Sequence, residues 1–233
     1  MNKAFSFTVV CLLLGLLAAC KKEVEVLPVD HTSRYYPNLV GRYLDYQIDS
    51  LYFNLFSGTV DTFSYQIREE VTEFVKDAEG RNTQRILRYK KVNSVWEPMR
   101  VYTAFVGSKR VERSEENTTF IKMVFPLRQD SSWNGNAMNA LGAQNYFCKS
   151  VHKPFSIFTH TYDSCATIMQ QLDSTLITKN EEKEIYAVNI GLIYKRSTHV
   201  EDRSSVIDPS LPISARANTG TDVRMYLIGY GVK

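Results

Sequence analysis

Hydrophobic and polar residues alternate along most of this chain once an opening apolar run has passed. From Tyr43, residues Leu44, Tyr46 and Ile48 share one side and Asp45, Gln47 and Asp49 the other, before Leu51 and Phe53 continue past a slip in parity. A period of two marks a strand with one buried face, because successive side chains leave a pleated backbone on opposite sides. Thr62 to Thr72 is cleaner, with Phe63, Tyr65, Ile67 and Val71 set against Thr62, Ser64, Gln66, Arg68 and Glu70. Asn54 to Gly58 joins the two as a hairpin. The turn Asp77-Ala78-Glu79-Gly80-Arg81-Asn82 leads to a strand around Gln84 to Lys90. Further strands are expected at Trp96–Val106, Lys109–Ser114, Thr119–Phe125, Gln144–Val151, Phe155–Asp163, Leu172–Lys179, Glu184–Thr198 and Val223–Tyr230. Asp130 to Ala143 reads as a long loop, Glu201 to Thr221 as an irregular excursion, and Ala166 to Asp173 as the place for a brief helix.

No window of about a dozen residues repeats at 3.6, so the fold class is all-β with at most a minor helix. Short connections favour antiparallel neighbours. Ten or so strands can hide one apolar face by forming a strongly curved antiparallel sheet or an open β-barrel. The 14 tyrosines and 12 phenylalanines fit, since flat rings pack well on a pleated surface. Aromatic residues lining a concave face would suit an apolar ligand, although Tyr46, Phe63 and Tyr65 alternate as core residues do.

The opening run adds an address. Met1-Asn2-Lys3 is followed by an apolar stretch from Ala4 to Leu17, broken only by Ser6, Thr8 and Gly15, and then by Ala18-Ala19-Cys20. A positive start, a short apolar segment and small residues before a cut make a signal peptide. The run is too short to cross a hydrocarbon core of about 30 Å as a helix. Leu17-Ala18-Ala19-Cys20 resembles the bacterial lipobox, which implies that the Cys20 thiol carries diacylglycerol and begins the mature chain. Acyl chains contribute about 0.8 kcal/mol per buried CH₂, so such an anchor holds without any protein segment in the bilayer. The resulting plan is a leader over 1–19, a lipidated tether over 20–34 and a single β domain over 35–233. The tether carries charges and Pro28 and has no apolar period. Lys22, Glu23 and Glu25 resemble the surface-export signal of Bacteroidetes lipoproteins, interrupted here by Val24, so the outer membrane is expected with either its periplasmic or its outer face open. The net charge of +3 becomes +2 when Lys3 leaves with the leader. Without a concentrated basic face, a nucleic-acid partner is not expected.

Aromatic-Pro pairs mark two similar segments. Tyr36-Pro37 is followed by Gly41 and Leu44, and Phe125-Pro126 by Asp130 and Trp133, each giving a turn former four residues after the proline and a large apolar residue seven after it. Both would turn the chain into a new strand. Tyr36-Pro37 followed by Gly41 and Tyr46, Phe125-Pro126-Leu127 with Trp133-Asn134-Gly135, and Tyr186-Ala187-Val188-Asn189-Ile190-Gly191-Leu192-Ile193-Tyr194 resemble the signature of uncharacterised Bacteroidetes lipoproteins, with Asp130 in place of the second glycine. The late segment is also similar to envelope proteins with LolA-like or DUF3108-like curved sheets. The resemblance implies an envelope β protein without a known catalytic site, and it supplies no functional residue beyond Cys20.

Candidate chemistry is thin. Cys148 and Cys165 remain after Cys11 leaves with the leader and Cys20 is lipidated, and an exported pair commonly oxidises. A disulfide would close a loop of about 17 residues, worth roughly 3 kcal/mol. A tight turn at Lys153-Pro154 would set Cys148 opposite residue 159 or 160, whereas a wider loop near Ser156 and Ile157 would bring the thiols together. Cys148, His152, His160 and Cys165 offer zinc-type ligands, but their spacing follows no zinc pattern, and the parity of His160 and Cys165 puts them on opposite faces. No metal or other cofactor is expected. There is no Gly-x-Ser-x-Gly elbow, and His31 and His199 lie in polar surroundings. Asp45 with Asp49, and Glu181-Glu182 with Glu184, read as a solvated face and a charged hairpin tip rather than as a glycosidase pair. The expected function is therefore non-catalytic: an envelope lipoprotein that binds an apolar ligand or an envelope partner through its curved sheet. A structural or assembly role stands second and a hydrolase third.

Overall fold

The chain folds as a meander that bends almost into a closed barrel. In this computed structural model residues 32–233 are described. The strands are β1 (Arg42–Asn54), β2 (Thr59–Lys76), β3 (Asn82–Val92), β4 (Val95–Val106), β5 (Arg110–Glu115), β6 (Thr118–Val124), β7 (Ser132–Asn134), β8 (Asn145–Ile157), β9 (His160–Ser174), β10 (Thr178–Ala187), β11 (Gly191–Glu201) and β12 (Thr219–Val232). They form one sheet in the order β6-β5-β4-β3-β2-β1-β12-β11-β10-β9-β8-β7. Every pairing is antiparallel, and β1 with β12 joins two six-stranded halves.

The seam between β6 and β7 is closed by single contacts rather than a ladder. The Ile121 N–H donates to the Gly135 carbonyl at 2.8 Å, and the Trp133 indole N–H donates to the Ile121 carbonyl at 2.8 Å. The two aromatic-Pro segments open the two halves alike. Gly41, at φ +82, donates its N–H to Val71 on β2, and Asp130, at φ +63, donates its N–H to Cys148 on β8. Each thus ties the entry of a half to that half's second strand.

Thr32 to Tyr35 forms one 3-10 turn across the end of the barrel where β1 begins. Its Thr32 hydroxyl accepts from the Leu127 N–H at 2.9 Å, and the Arg34 carbonyl accepts from the Asn189 N–H at 2.8 Å. Tyr35 is fully buried. The folded body therefore takes in Thr32, Ser33 and Arg34, which the sequence assigns to the tether; the rest of the tether, with Cys20, His31 and the leader, lies outside the described residues.

Most expected strands are present, and the departures have local causes. The brief helix expected within Ala166–Asp173 is strand β9, whose alternation is masked because Ala166, Ile168 and Met169 are all buried. The helix that does form, α1 (Ile213–Arg216), lies in the excursion before β12. Glu184–Thr198 is two strands, split by a turn in which Asn189 (φ +63) and Gly191 (φ +102) take left-handed conformations. Neither the tight turn at Lys153-Pro154 nor the wider loop near Ser156 and Ile157 forms: both stretches lie in β8, the first within a run of bulges, with His152 at φ +56. A bulge leaves a residue unpaired, which accommodates a proline lacking its N–H.

That register decides the cysteines. The chain reverses at Phe158 and Thr159, so Cys148 faces Ile168 and Cys165 faces Lys153. Three residues of strand, about 10 Å, separate the two rungs, which is beyond the Cα separation a disulfide can bridge. The expected bond is not formed: both thiols are free and buried, in different clusters of the core.

Candidate functional site

Alternation along each strand sends one set of side chains into the barrel. Leu44, Tyr46 and Ile48 enter from β1, Ile67, Glu69 and Val71 from β2, and Ile86 with Arg88 from β3. The surprise is how many of the inward residues are charged. Arg42, Arg88, Arg113, Lys122 and Lys195 share one chamber with Glu69, Glu115 and Glu184, and its remaining walls are aromatic, from Tyr36, Tyr46 and Tyr186, and aliphatic, from Leu44, Val71, Ile86, Leu192 and Met225.

Each carboxylate in the chamber is held by more than one neighbour or by a close pair. Glu69 accepts from both Nη atoms of Arg113, at 2.7 and 3.0 Å, and from Arg88 at 2.5 and 3.0 Å. Burial alone would raise its pKa, but the two guanidiniums outweigh that and hold it at about 2. The Arg113 Nε donates to Glu115 at 2.7 Å. Glu184 accepts from the Lys122 ammonium at 2.8 Å and the Tyr186 hydroxyl at 2.6 Å, with Lys195 at 3.3 Å. Burial again opposes ionisation, and the two lysines override it to hold Glu184 at about 2. Arg88 and Arg113 also lie against the Tyr102 ring, with centroid distances of 4.6 and 5.1 Å.

Arg42 is the exception. Its Nη1 donates to the Ile190 carbonyl at 2.7 Å, and its Nε is buried with no partner. Gly191 makes room for it, since a Cβ there would lie 2.6 Å from Nη1. The free space left among these groups is about 30 Å³, enough for about one or two water molecules. The chamber is thus a packed, charged space set between two apolar clusters of the core rather than a continuous apolar pocket.

The residues singled out from the sequence fall elsewhere, with one exception. The Tyr35 hydroxyl lies 2.9 Å from His152 Nδ1 and 3.0 Å from Ser164, while His160 packs edge-on against Tyr162. With the two thiols apart, the four zinc-type ligands are not brought together. Burial pushes both thiols up to about 11, which leaves them unreactive near neutral pH. His199 Nε2 is 2.8 Å from Glu182. Asp45 holds Arg68 in a two-pronged pair at 2.6 and 2.8 Å, and Asp49 accepts from Ser64 at 2.8 Å. Glu184 is the exception: the acidic run expected at a solvated hairpin tip lies on β10, and its last member is 2% exposed inside the chamber.

On the outer side, the β8–β9 hairpin bends over its neighbours. Tyr226 faces outward because Met225 beside it faces the chamber, and Phe158 at the hairpin tip packs on Tyr226 while Phe155 packs on Tyr194. The β1–β2 hairpin is not covered in this way. Phe56 is 101% exposed at its tip, with Leu55, Val60 and Phe63 exposed beside it.

No family model and no curated protein matches the chain. Among the solved structures similar to it are two exported proteins of Bacteroidetes. One is a protein assigned as exported, with a YmcC-like fold, from Bacteroides fragilis NCTC 9343; it is 9% identical, at a TM-score of 0.46, over 84% of this chain and 98% of that one. The other is a protein assigned as a lipoprotein from Parabacteroides distasonis ATCC 8503, 11% identical at a TM-score of 0.43 over the same shares.

Proposed function

We propose that this chain is an exported lipoprotein of the outer membrane, held by lipid on Cys20, whose barrel has no catalytic part and docks on another envelope protein through the β1–β2 hairpin. The observation that carries the reading is the uncovered apolar tip at Phe56. A cluster of apolar side chains standing in water is a recurrent mark of a contact surface. Its place along the barrel favours a protein as the occupant. β1 rises from Arg42 to Asn54, so the tip lies about 40 Å along the strand from the end crossed by Thr32–Tyr35. A tether leaving from Thr32 turns that far end away from the anchoring bilayer, and an apolar cleft on a neighbouring protein then meets Leu55, Phe56 and Val60. The interior argues the same way, because an apolar ligand needs a continuous apolar pocket and the charged chamber leaves room for little more than water.

Photo-crosslinking tests this in the full lipidated chain. With p-benzoylphenylalanine in place of Phe56, irradiation of cells is expected to give a discrete adduct with a second protein, and the adduct should disappear when Leu55 and Val60 are both changed to serine. Label recovered in lipid, in a dimer of this chain, or in nothing at all would overturn the docking reading.

A further inference from the structure

The end of the barrel from which the tether leaves combines exposed apolar residues with exposed cations. Leu39 and Val40 precede β1 there, Phe74 lies near the end of β2 and Val232 ends β12, and all four are exposed. Backbone contacts gather them. Gly41, next to Val40, donates its N–H to the Val71 carbonyl on β2, and its own carbonyl accepts from the Lys233 N–H beside Val232. Phe74 pairs with Gln84, whose amide donates to the Pro37 carbonyl and to Asn38. The exposed cations are Arg34 in the turn that crosses this end, Lys76 at the end of β2, Lys109 between β4 and β5, and Arg128 in the segment leaving β6. Nearby carboxylates are taken by other partners, Asp77 and Glu79 by Arg81 and Glu70 by Lys233. The β1–β2 tip differs, since it carries no charged residue from Asn54 to Val60.

Apolar side chains ringed by Lys and Arg suit the head-group layer of an anionic bilayer, where the former enter the acyl boundary and the latter meet phosphate. The tether says what covers this end. Thr32 lies on it, and eleven residues separate Thr32 from Cys20, a reach of at most about 40 Å. Lipid on Cys20 confines this end to the neighbourhood of the bilayer, where a contact too weak to bind alone is sufficient. We propose that the tether end is a second membrane contact, in which Leu39, Val40, Phe74 and Val232 enter the head-group layer of the anchoring bilayer and Arg34, Lys76, Lys109 and Arg128 meet anionic phospholipid. The inference rests on the lipid anchor of the proposed function and is independent of the hairpin contact.

The test uses the lipidated chain on vesicles of phosphatidylcholine alone, or of equal parts phosphatidylcholine and phosphatidylglycerol, each doped with lipid brominated high on its acyl chains. Flotation reports the anchor separately. The emission added by Leu39→Trp is expected to be quenched beyond any quenching of the native Trp96 and Trp133, more strongly with phosphatidylglycerol, and to recover as salt rises. Adding Lys109→Gln and Arg128→Gln should weaken that quenching without lowering the melting temperature, and the emission added by Phe56→Trp should not be quenched. A chain that floats without added quenching in Leu39→Trp, quenching indifferent to phosphatidylglycerol and salt, or quenching in Phe56→Trp overturns the membrane contact and leaves the anchor standing. A chain that does not float overturns the anchor and the contact with it.

Discussion

Glu184 shows how a charged residue comes to sit in the middle of a barrel. It is nearly inaccessible, yet Lys122, Lys195 and the Tyr186 hydroxyl supply what water would. Such groups fix geometry more than they add stability, since desolvation offsets most of the attraction; removing one partner is what hurts. Lys122→Met should accordingly destabilise the fold by about 3–5 kcal/mol, read from urea unfolding, and Lys122→Met with Glu184→Leu by less than Lys122→Met alone. The same pairs set the response to acid. Glu69 and Glu184 ionise at about 2 in the fold against 4.5 as the reference, so their contribution is complete above about pH 4.5 and is lost as pH falls through about 2. Melting temperatures measured across that window should drop steeply, and a flat profile would contradict the chamber. The signal for these residues was present in the sequence: Glu69 falls on the inward parity of Ile67 and Val71, and Arg88 on that of Ile86. A charge at an apolar position is readable, but a strand pattern alone does not say that several such charges from distant strands meet. The thiols teach the complementary lesson. Whether Cys148 meets Cys165 depends on register, and bulges in β8 shift it, of which Pro154 signals only the last. With both thiols raised to about 11 by burial, alkylation should be slow in the folded protein and reach both sulfurs after unfolding. A mass two units below the reduced value for the exported domain would show a disulfide instead.

Strands were legible where one face is wet and the other dry. β1 and β2 announce themselves by alternation, and the hairpins to β2 and β3 by Asn54–Gly58 and Asp77–Asn82. Legibility fails where both faces are covered, as in β9, and where a turn is built from apolar residues. Val188-Asn189-Ile190-Gly191 is such a turn: it reads as strand, yet Asn189 and Gly191 take the left-handed conformations that reverse the chain. Gly191→Ala should cost about 1–3 kcal/mol, since it combines a strained φ with a clash against Arg42. Comparing its unfolding midpoint with that of Gly142→Ala, where φ is also positive but nothing lies within 4 Å, separates the clash from the backbone term. The seam is the other weak element. Trp133→Phe keeps most of the ring and removes the donor to the Ile121 carbonyl, a loss of about 1 kcal/mol. Faster amide exchange at Ile121 with little change in the β1–β12 ladder is the expected outcome.

The whole molecule is two six-stranded meanders joined at β1 and β12, each opened by an aromatic-Pro segment that hydrogen-bonds to its own second strand. One end is crossed by the entering chain, and the other presents hairpins, among them the uncovered tip at Phe56. Sheet curvature and antiparallel neighbours followed from the pattern of the sequence, while the pairing of β1 with β12 did not, because local alternation does not say that the first and last strands meet and leave the consecutive β6 and β7 at the seam. If the tip is buried against a partner, Phe56→Ser should weaken binding by about 2 kcal/mol, roughly thirtyfold, in a titration against that partner. The functional account depends above all on the barrel being held by lipid on Cys20, and metabolic labelling with palmitate tests that directly. The account predicts label in the wild-type chain and none in Cys20→Ser, which should be left unprocessed or released from the membrane fraction. Label persisting in Cys20→Ser, or a wild-type chain that is unlabelled and free of the membrane, would contradict it.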